Sequence, residues 1–325
     1  MIAISVVIPT YNRLSTLERC LAALEQQTLP RAQYELIVID DHSTDQTPVV
    51  MSQRPGIRFF RQPRNAGPSA ARNVGIQAAQ GDWIVLLGDD IVATPNLLEQ
   101  HLQVHQEVQG EHIAVLGYTP WGEDEEITPL MRYLISGGTF QQFRYYDIHD
   151  PNNVSYEFFY TSNISLSRQF LLRYGLFDEE FPYAYGEDTE LAYRLSRHGL
   201  RIIFRRELLA RHYHPTSYVS ARRRAILSSQ ITLIMARKHP ELVDLSVIAH
   251  SSKPRIRTMI KRFVTEQFID RLLDIADRQR WDHPLLMKLF DWNLSSHQFW
   301  ALMDLVQQER SALKQTTAVG RTTVS

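Results

Sequence analysis

The sequence predicts an α/β protein, with a mostly parallel central sheet flanked by helices and a C-terminal all-helical extension. Three observations predict it. Short apolar runs of strand length alternate with helical patterns over the first two-thirds of the chain, at intervals that suit right-handed crossovers. Several of those runs end in carboxylates or polar turns. Beyond Tyr218 the periodic segments are helical only. The expected division is residues 1–218, in halves of about 1–117 and 118–218, and a helical region 219–325.

The elements follow in order. Ile4 to Ile8 is an all-apolar strand ending at Pro9-Thr10-Tyr11-Asn12-Arg13. That loop has no glycine, which argues against a dinucleotide fingerprint or a P-loop. Ser15 and Glu18 have the spacing of a capping box, opening a helix with Leu17, Leu21 and Leu24 on one face. Cys20 within it reads as a packing residue. Glu35 to Ile39 is a second strand, ending in Asp40-Asp41 and the polar turn Ser43-Thr44-Asp45. Ile57 to Phe60 is a third. The turn Asn65-Ala66-Gly67-Pro68 leads into a small-residue helix, Ser69 to Ala79, carrying Arg72 and Asn73.

Trp83 to Leu87 is apolar throughout and too short for a stable helix, as expected of a central strand covered on both faces. It ends in Gly88-Asp89-Asp90, at the carboxyl end of a strand, where open α/β sheets bind ligands. Two such acids suit a hard cation held through oxygen. The plainer alternative is that they cap the helix expected over Pro95 to His105. His112 to Leu116 is another strand. The pattern loosens from Thr119 to Tyr156, a place for loops, short helices and a substrate lid. Order returns at Phe158 to Leu166, with a helix over Arg168 to Tyr174. Gly186-Glu187-Asp188 starts a helix through His198 with Gly199 as its C-cap. Arg201 to Phe204 is a strand, followed by His212-Tyr213-His214-Pro215. Helices are expected over Arg222–Lys238, Arg255–Arg280 and Pro284–Trp292, with a last one opened by Ser295 and Gln298.

Composition narrows the function classes. A chain of 325 residues, 44% hydrophobic, buries a sizeable core, and a net charge of −1 points to no nucleic-acid partner. The single cysteine excludes an internal disulfide and a cysteine-based zinc site and fits a reducing cytosol. The apolar N-terminus lacks a positive leader and breaks at Pro9, and no apolar run reaches membrane-spanning length. The expected location is therefore cytoplasmic. Residues 222–262 carry ten Lys or Arg against two acids. This basic stretch reads either as a solvated or ion-paired helix face or as a peripheral contact with an anionic inner-membrane surface.

Taken together, Val6-Val7-Ile8-Pro9-Thr10-Tyr11-Asn12-Arg13, Val38-Ile39-Asp40-Asp41 with Ser43-Thr44-Asp45, Asn65 with Gly67, Ala71-Arg72-Asn73, Gly88-Asp89-Asp90 with Pro95, and Gly186-Glu187-Asp188 with Arg194-Leu195 and Gly199 resemble glycosyltransferase family 2. The resemblance implies a GT-A fold, Rossmann-like in its sheet. It also implies a hexosyltransferase-type reaction: inverting transfer of a sugar from a nucleotide diphosphate donor, most often a UDP-sugar, to a hydroxyl of a glycan or lipid-linked acceptor. Thr10, Tyr11 and Asp40 would then hold the nucleobase, and Arg13 and Arg72 would neutralise the phosphates.

The acid pair agrees with this reading on its own chemistry. At about 4 Å and an effective dielectric near 20, each carboxylate–phosphate pair repels by roughly 4 kcal/mol, so a divalent cation must lie between them. Asp90 is the expected metal ligand, with Asp89 nearer the donor's ribose or sugar. The family often has a further acid where this chain has Gly88, and a histidine after the last sheet strand, where this chain has His212 and His214, of which His214 is preferred. Imidazole with carboxylate suits Mn²⁺ at least as well as Mg²⁺.

Asp188 is the expected general base, with Glu187 as supporting acid; the pair would otherwise only complement the helix dipole. Tyr183, Tyr185 and Asn163 are expected contacts to the acceptor, the tyrosines doubling as packing candidates. Two other classes compete. A nucleotidyltransferase of sugar-nucleotide synthesis needs a glycine-rich basic loop after the first strand, which is missing. A catalytically inactive nucleotide- or sugar-binding protein has no use for Asp40, Asp90 and Asp188 together.

Overall fold

The computed structural model of the chain describes residues 1–135, 139–140, 142–214, 216–243 and 256–322, with the side chains of 256–266 and 309–322 left aside. The chain divides into two compact units, Met1–Glu125 with Phe143–Pro215, and Glu126–Gln142 with Thr216–Ser325. Residues 126–142, expected with the first domain, thus group with the helical region.

The first unit is built on one sheet of strands β1 (Ile4–Thr10), β2 (Tyr34–Asp40), β3 (Ile57–Arg61), β4 (Trp83–Leu87), β5 (Ile91–Ala93), β6 (Ile113–Tyr118), β7 (Asn163–Ser167) and β8 (Arg201–His212), in the order β3-β2-β1-β4-β7-β6-β8-β5. The pairings of β1 with β2 and β4, of β2 with β3 and of β6 with β8 are parallel, while β7 runs antiparallel to both β4 and β6. Alternation explains why the strands read as unbroken apolar runs. Val6, Ile8, Leu36, Val38, Val85 and Leu87 face one core with helices α1 (Leu14–Leu24) and α4 (Leu97–Val108). Val7, Ile37, Ile39, Ile84 and Leu86 face the other, with α3 (Pro68–Ala78), α6 (Arg168–Tyr174) and α7 (Glu187–Ser196). A side chain on every position is covered, so no polar alternation survives. Helix α2 (Thr47–Gln53) closes the turn after β2.

The structure differs from the sequence expectation at two helix or strand ends. Ser15 lies inside α1 and makes no capping box; Asp45, from the turn after β2, accepts from Leu14 N–H at 3.4 Å instead. Strand β8 runs eight residues beyond Phe204, past a register shift opposite Gly117 and Tyr118, and its far end pairs antiparallel with β5. The charged run Arg205-Arg206-Glu207 hides that continuation from an apolar-run reading.

The helical unit contains α5 (Pro129–Tyr133), α8 (Tyr218–Lys238), α9 (Ile256–Arg278) and α10 (Pro284–Thr322). Helix α10 is continuous where two helices are expected. Ser295 and Gln298 sit in its interior because Asn293 and Leu294 are fully buried and carry the inward stripe from Phe290 on to Leu302 and Val306. Asp270 is buried here and accepts from Tyr218 Oη at 2.6 Å, Asn293 Nδ2 at 2.8 Å and His297 Nε2 at 2.9 Å. Arg222, the first residue of the basic stretch, pairs with the same carboxylate at 2.5 Å. Residues 244–255 of that stretch lie outside the described residues. Among the described residues no helix is long and apolar enough to cross a membrane.

One buried cluster contributes to acid stability. His101 and His105 of α4 both reach Ser165 Oγ at 2.8 Å, and His101 also reaches Asn163 Oδ1 at 2.9 Å. Burial drives the His101 imidazole down to about 4 against its hydrogen bond with Asn163, and burial with the His101 charge drives His105 down to about 3. Both are neutral in the folded protein at pH 7, while the unfolded chain takes up protons below an ordinary value of 6.5. The stabilisation is complete above 6.5 and is lost as pH falls towards the depressed folded values. For His101 alone it amounts to about 3 kcal/mol. Urea unfolding at pH 7 and pH 4.5 is expected to show a pH slope that His101→Gln flattens.

Candidate active site

The carboxyl ends of β1 and β4 lie side by side because the two strands pair in parallel, so Thr10 and Arg13 meet the acids that follow Leu87. Thr10 Oγ1 donates to Asp89 Oδ2 at 2.8 Å. Arg13 spans both acids, donating to Asp89 Oδ1 at 2.8 Å and to Asp90 Oδ2 at 2.9 Å. Its guanidinium also donates to His214 Nδ1 at 2.7 Å, which assigns the proton of that ring to Nε2.

The two histidines arrive on the end of β8. Ile91 is the register partner of His212, and Tyr213 N–H donates to Asp90 O at 2.8 Å, so the main chain itself sets Asp90 beside the histidines. His212 Nε2 stands 3.3 Å and His214 Nδ1 3.5 Å from Asp90 Oδ2. Trp121 stacks on His212 with ring centroids 5.0 Å apart. Burial opposes charge on Asp90, but His212, Arg13 and His214 outweigh it and hold the carboxyl well below the usual range. Burial pushes the Asp89 carboxyl upward, against Arg13 and with the charge of Asp90. Gly88 has a local reason: a Cβ there would lie 2.7 Å from Asp90 Oδ1, so a side chain would crowd the acid. Cys20 Sγ sits behind, 3.6 Å from Gly88 O, and its burial pushes the thiol well up, as befits a packing residue.

Among the described residues no group of three or more His, Cys, Asp or Glu side chains closes round one point. The chemistry of the donor set nevertheless fits a divalent ion: a carboxylate with two imidazoles near one oxygen, and a buried His212 Nδ1 without a hydrogen-bond partner. Arg13 stands where positive charge is required.

Asp40 ends β2 next to Thr10 and is fully buried. Ser43 N–H donates to its Oδ1 at 2.9 Å, and Arg61 Nε lies 3.2 Å from its Oδ2. Tyr11, on the loop after β1, is 43% exposed.

A second acidic centre forms at the start of α7, where Gly186 takes the left-handed conformation at φ 82°. Asp188 Oδ1 accepts from Thr189 N–H at 2.8 Å. Burial, followed by the charge of Glu187, pushes the Asp188 carboxyl up to about 7, against the Thr189 N–H and Arg72. Arg72 is buried on α3 and donates to Glu187 Oε1 at 2.8 Å. It is brought there because α3 lies close on the sheet at Gly75, whose Cβ would meet Val7 at 2.5 Å. Arg72 thus pairs with an acid of α7, while Arg13 pairs with Asp89 and Asp90.

The expectation for Asn163 is corrected as well. It is fully buried in β7, its Oδ1 accepting from His101 Nε2 and its Nδ2 donating to Leu208 O at 2.9 Å. Strand alternation turns it into the core, and Gly117 leaves room for it, so it has no face for an acceptor. Asn163→Ala is expected to cost about 1–3 kcal/mol of stability by leaving buried partners unpaired. Chemical denaturation checks this, with catalytic constants unchanged at temperatures where the variant is folded. Tyr183 and Tyr185 are partly exposed on the segment before Gly186, whereas Phe181 is core.

The sequence reading misses the aromatic group linking the two centres. Phe143 meets His212 at 5.7 Å and Tyr160 at 5.1 Å, and Tyr160 lies within electrostatic reach of Asp188. The signal was the density of aromatics between Tyr118 and Tyr160, in a stretch without periodicity.

The family model described as Glycosyl transferase family 2 matches residues 5–174. Validoxylamine A glucosyltransferase of Streptomyces hygroscopicus subsp. jinggangensis is 31% identical over 226 residues, 63% of this chain and 54% of that protein. Hyaluronan synthase of Pasteurella multocida is 27% identical over 312 residues, 86% of this chain and 32% of that one. The chain therefore spans about a third to a half of these relatives. Among solved structures, S. aureus TarS residues 1–349 in complex with UDP superposes with TM-score 0.52 at 16% identity, covering 94% of this chain and 92% of that one. Mannosyltransferase PcManGT from Pyrobaculum calidifontis, in complex with GDP-Man and Mn²⁺, superposes with TM-score 0.53 at 16% identity, covering 97% and 79%. Both show the GT-A-type fold.

Proposed function

Because the chain belongs to glycosyltransferase family 2, and is thus a glycosyltransferase, we propose that it moves a sugar with inversion from a nucleotide diphosphate sugar to a hydroxyl of a glycan or lipid-linked acceptor. The observation that carries this reading is the convergence of Thr10, Arg13, Asp89, Asp90, His212 and His214 at neighbouring strand ends. One guanidinium and two imidazoles gathered on two carboxylates make a site for a diphosphate only if further positive charge accompanies it. Asp90, His212 and His214 would hold a divalent cation, and that ion, when bound, offsets the charge of the leaving diphosphate. The imidazoles favour manganese over magnesium, in keeping with the ion in the mannosyltransferase structure.

The chain's own residues supply the rest. Tyr11 and Asp40 face the nucleobase, Asp40 accepting from a base N–H. Uracil is the first candidate, since the TarS structure holds UDP, with guanine the next because the mannosyltransferase holds GDP-Man. Arg13 carries fixed positive charge for the phosphates. Asp188, held near neutrality in its proton affinity, takes the proton of the acceptor hydroxyl as the new bond forms. Tyr183 and Tyr185 give the acceptor sugar a partly exposed aromatic edge.

The test is a panel of UDP- and GDP-sugars with Mn²⁺ or Mg²⁺, read as release of nucleoside diphosphate and stopped by chelator. Turnover untouched by chelator would remove the metal from the reading. Release of pyrophosphate from a nucleoside triphosphate would remove the transferase reading itself.

A further inference from the structure

Arg72 and Glu187 form a buried pair joined at one point only, Nη1 to Oε1 at 2.8 Å, while Arg72 Nε and Glu187 Oε2 have no hydrogen-bond partner. The guanidinium lies 5.3 Å from the Phe177 ring, which with α3 and α7 keeps water away. Buried ion pairs of this kind contribute little net stability, so a purely structural role explains the arrangement poorly. What singles it out is its neighbour in the chain: Glu187 is bonded directly to Asp188. Two adjacent carboxylates, Glu187 buried and Asp188 half-buried, suppress each other's ionisation unless a cation offsets one of them.

Resting on the proposal that Asp188 is the base, we infer that Arg72 is a positioning residue for catalysis. Its guanidinium cancels the charge of Glu187, and the Arg72–Glu187 pair thereby sets the pH at which the Asp188 carboxylate is available. The groups that face Asp188 are Glu187 and Thr189 of α7, Arg72 of α3, and Tyr160, whose hydroxyl accepts from Arg144 N–H at 3.1 Å. Arg72 draws the Asp188 carboxyl down and Glu187 drives it up, and burial is common to both. The two substitutions must therefore act with opposite sign.

The experiment is a carboxyl carbon-13 titration of the full chain labelled at aspartate, with the Asp188 signal assigned by its loss in Asp188→Asn. It needs no substrate. Arg72→Gln is expected to move the Asp188 midpoint up by about one pH unit, Glu187→Gln to move it down by a similar amount, and the double variant to fall between them. Arg72→Lys keeps the charge and is expected to stay near the parent. Glu187→Gln preserves shape and decides the matter if Arg72→Gln does not fold. An unmoved midpoint in Glu187→Gln, or shifts of the same sign in both single variants, would overturn the inference. The transfer assay on Asp188→Asn is separate: full activity there would fail the base assignment and leave the titration result standing.

Discussion

Asp90→Ala is expected to lower sugar transfer by about 10³-fold. Asp90 is the carboxylate on which Arg13, His212 and His214 all converge, and it stays ionised across the working range because those groups outweigh its burial. Removing it takes away the one oxygen near both imidazoles. Arg13 would retain Asp89 at 2.8 Å, so the loop after β1 keeps an anchor and the fold survives. His212→Ala and His214→Ala are expected to weaken Mn²⁺ binding by about 10- to 100-fold each, with part of the activity restored at high metal. The check is steady-state transfer against Mn²⁺ concentration, with circular dichroism to confirm folding. Parent-like turnover in Asp90→Ala would remove the acid pair from the chemistry altogether.

Asp188→Asn is expected to cost about 10²- to 10⁴-fold in kcat/KM, the range of general-base assistance. The sign of the pH dependence follows from the role. A base works only when ionised, and burial beside Glu187 raises the Asp188 carboxyl to about 7, so parent kcat/KM should fall as pH drops below that value and level off above it. The asparagine variant should lack this limb. It should also be at least as stable as the parent at pH 8, because a buried carboxylate with a raised folded pKa costs stability once pH exceeds its unfolded value. Lost activity with undiminished thermal stability separates catalysis from misfolding. A pH profile unchanged by the substitution would give the proton to another group.

Strand positions were legible in the sequence where burial on both faces left uninterrupted apolar runs. Trp83–Leu87 is found at the expected residues, and β1 and β2 extend beyond the expectation only at their ends, Pro9-Thr10 on β1 and Tyr34 and Asp40 on β2. The polar Thr10 and Asp40 are tied in by main-chain bonds, Thr10 O accepting from Asp41 N–H and Asp40 O from Gln62 N–H, which an apolar-run reading cannot register. The far half of β8 and the three-residue β5 were missed for a related reason. Their stability comes from pairing with each other, and short non-local pairings leave no periodic trace. At the site, carboxylates and histidines were legible as residue types at strand ends. The partner of each was not: that Arg72 meets Glu187 and Arg13 meets both acids depends on which strands and helices become neighbours. Asn163 was misjudged because a single polar residue at a strand's start carries no sign of which face it takes, and its partners lie on α4 and β8.

The acid and the first histidine of the expected metal site are set opposite one another by main-chain bonds between β5 and β8. Location and chemistry are thus uncoupled at this point of the molecule. An engineer, or a lineage, can exchange aspartate, asparagine, glutamate or histidine at these two positions without disturbing the strand crossing that sets them face to face. The choice of ion would then be open to drift while the place proposed for it would not.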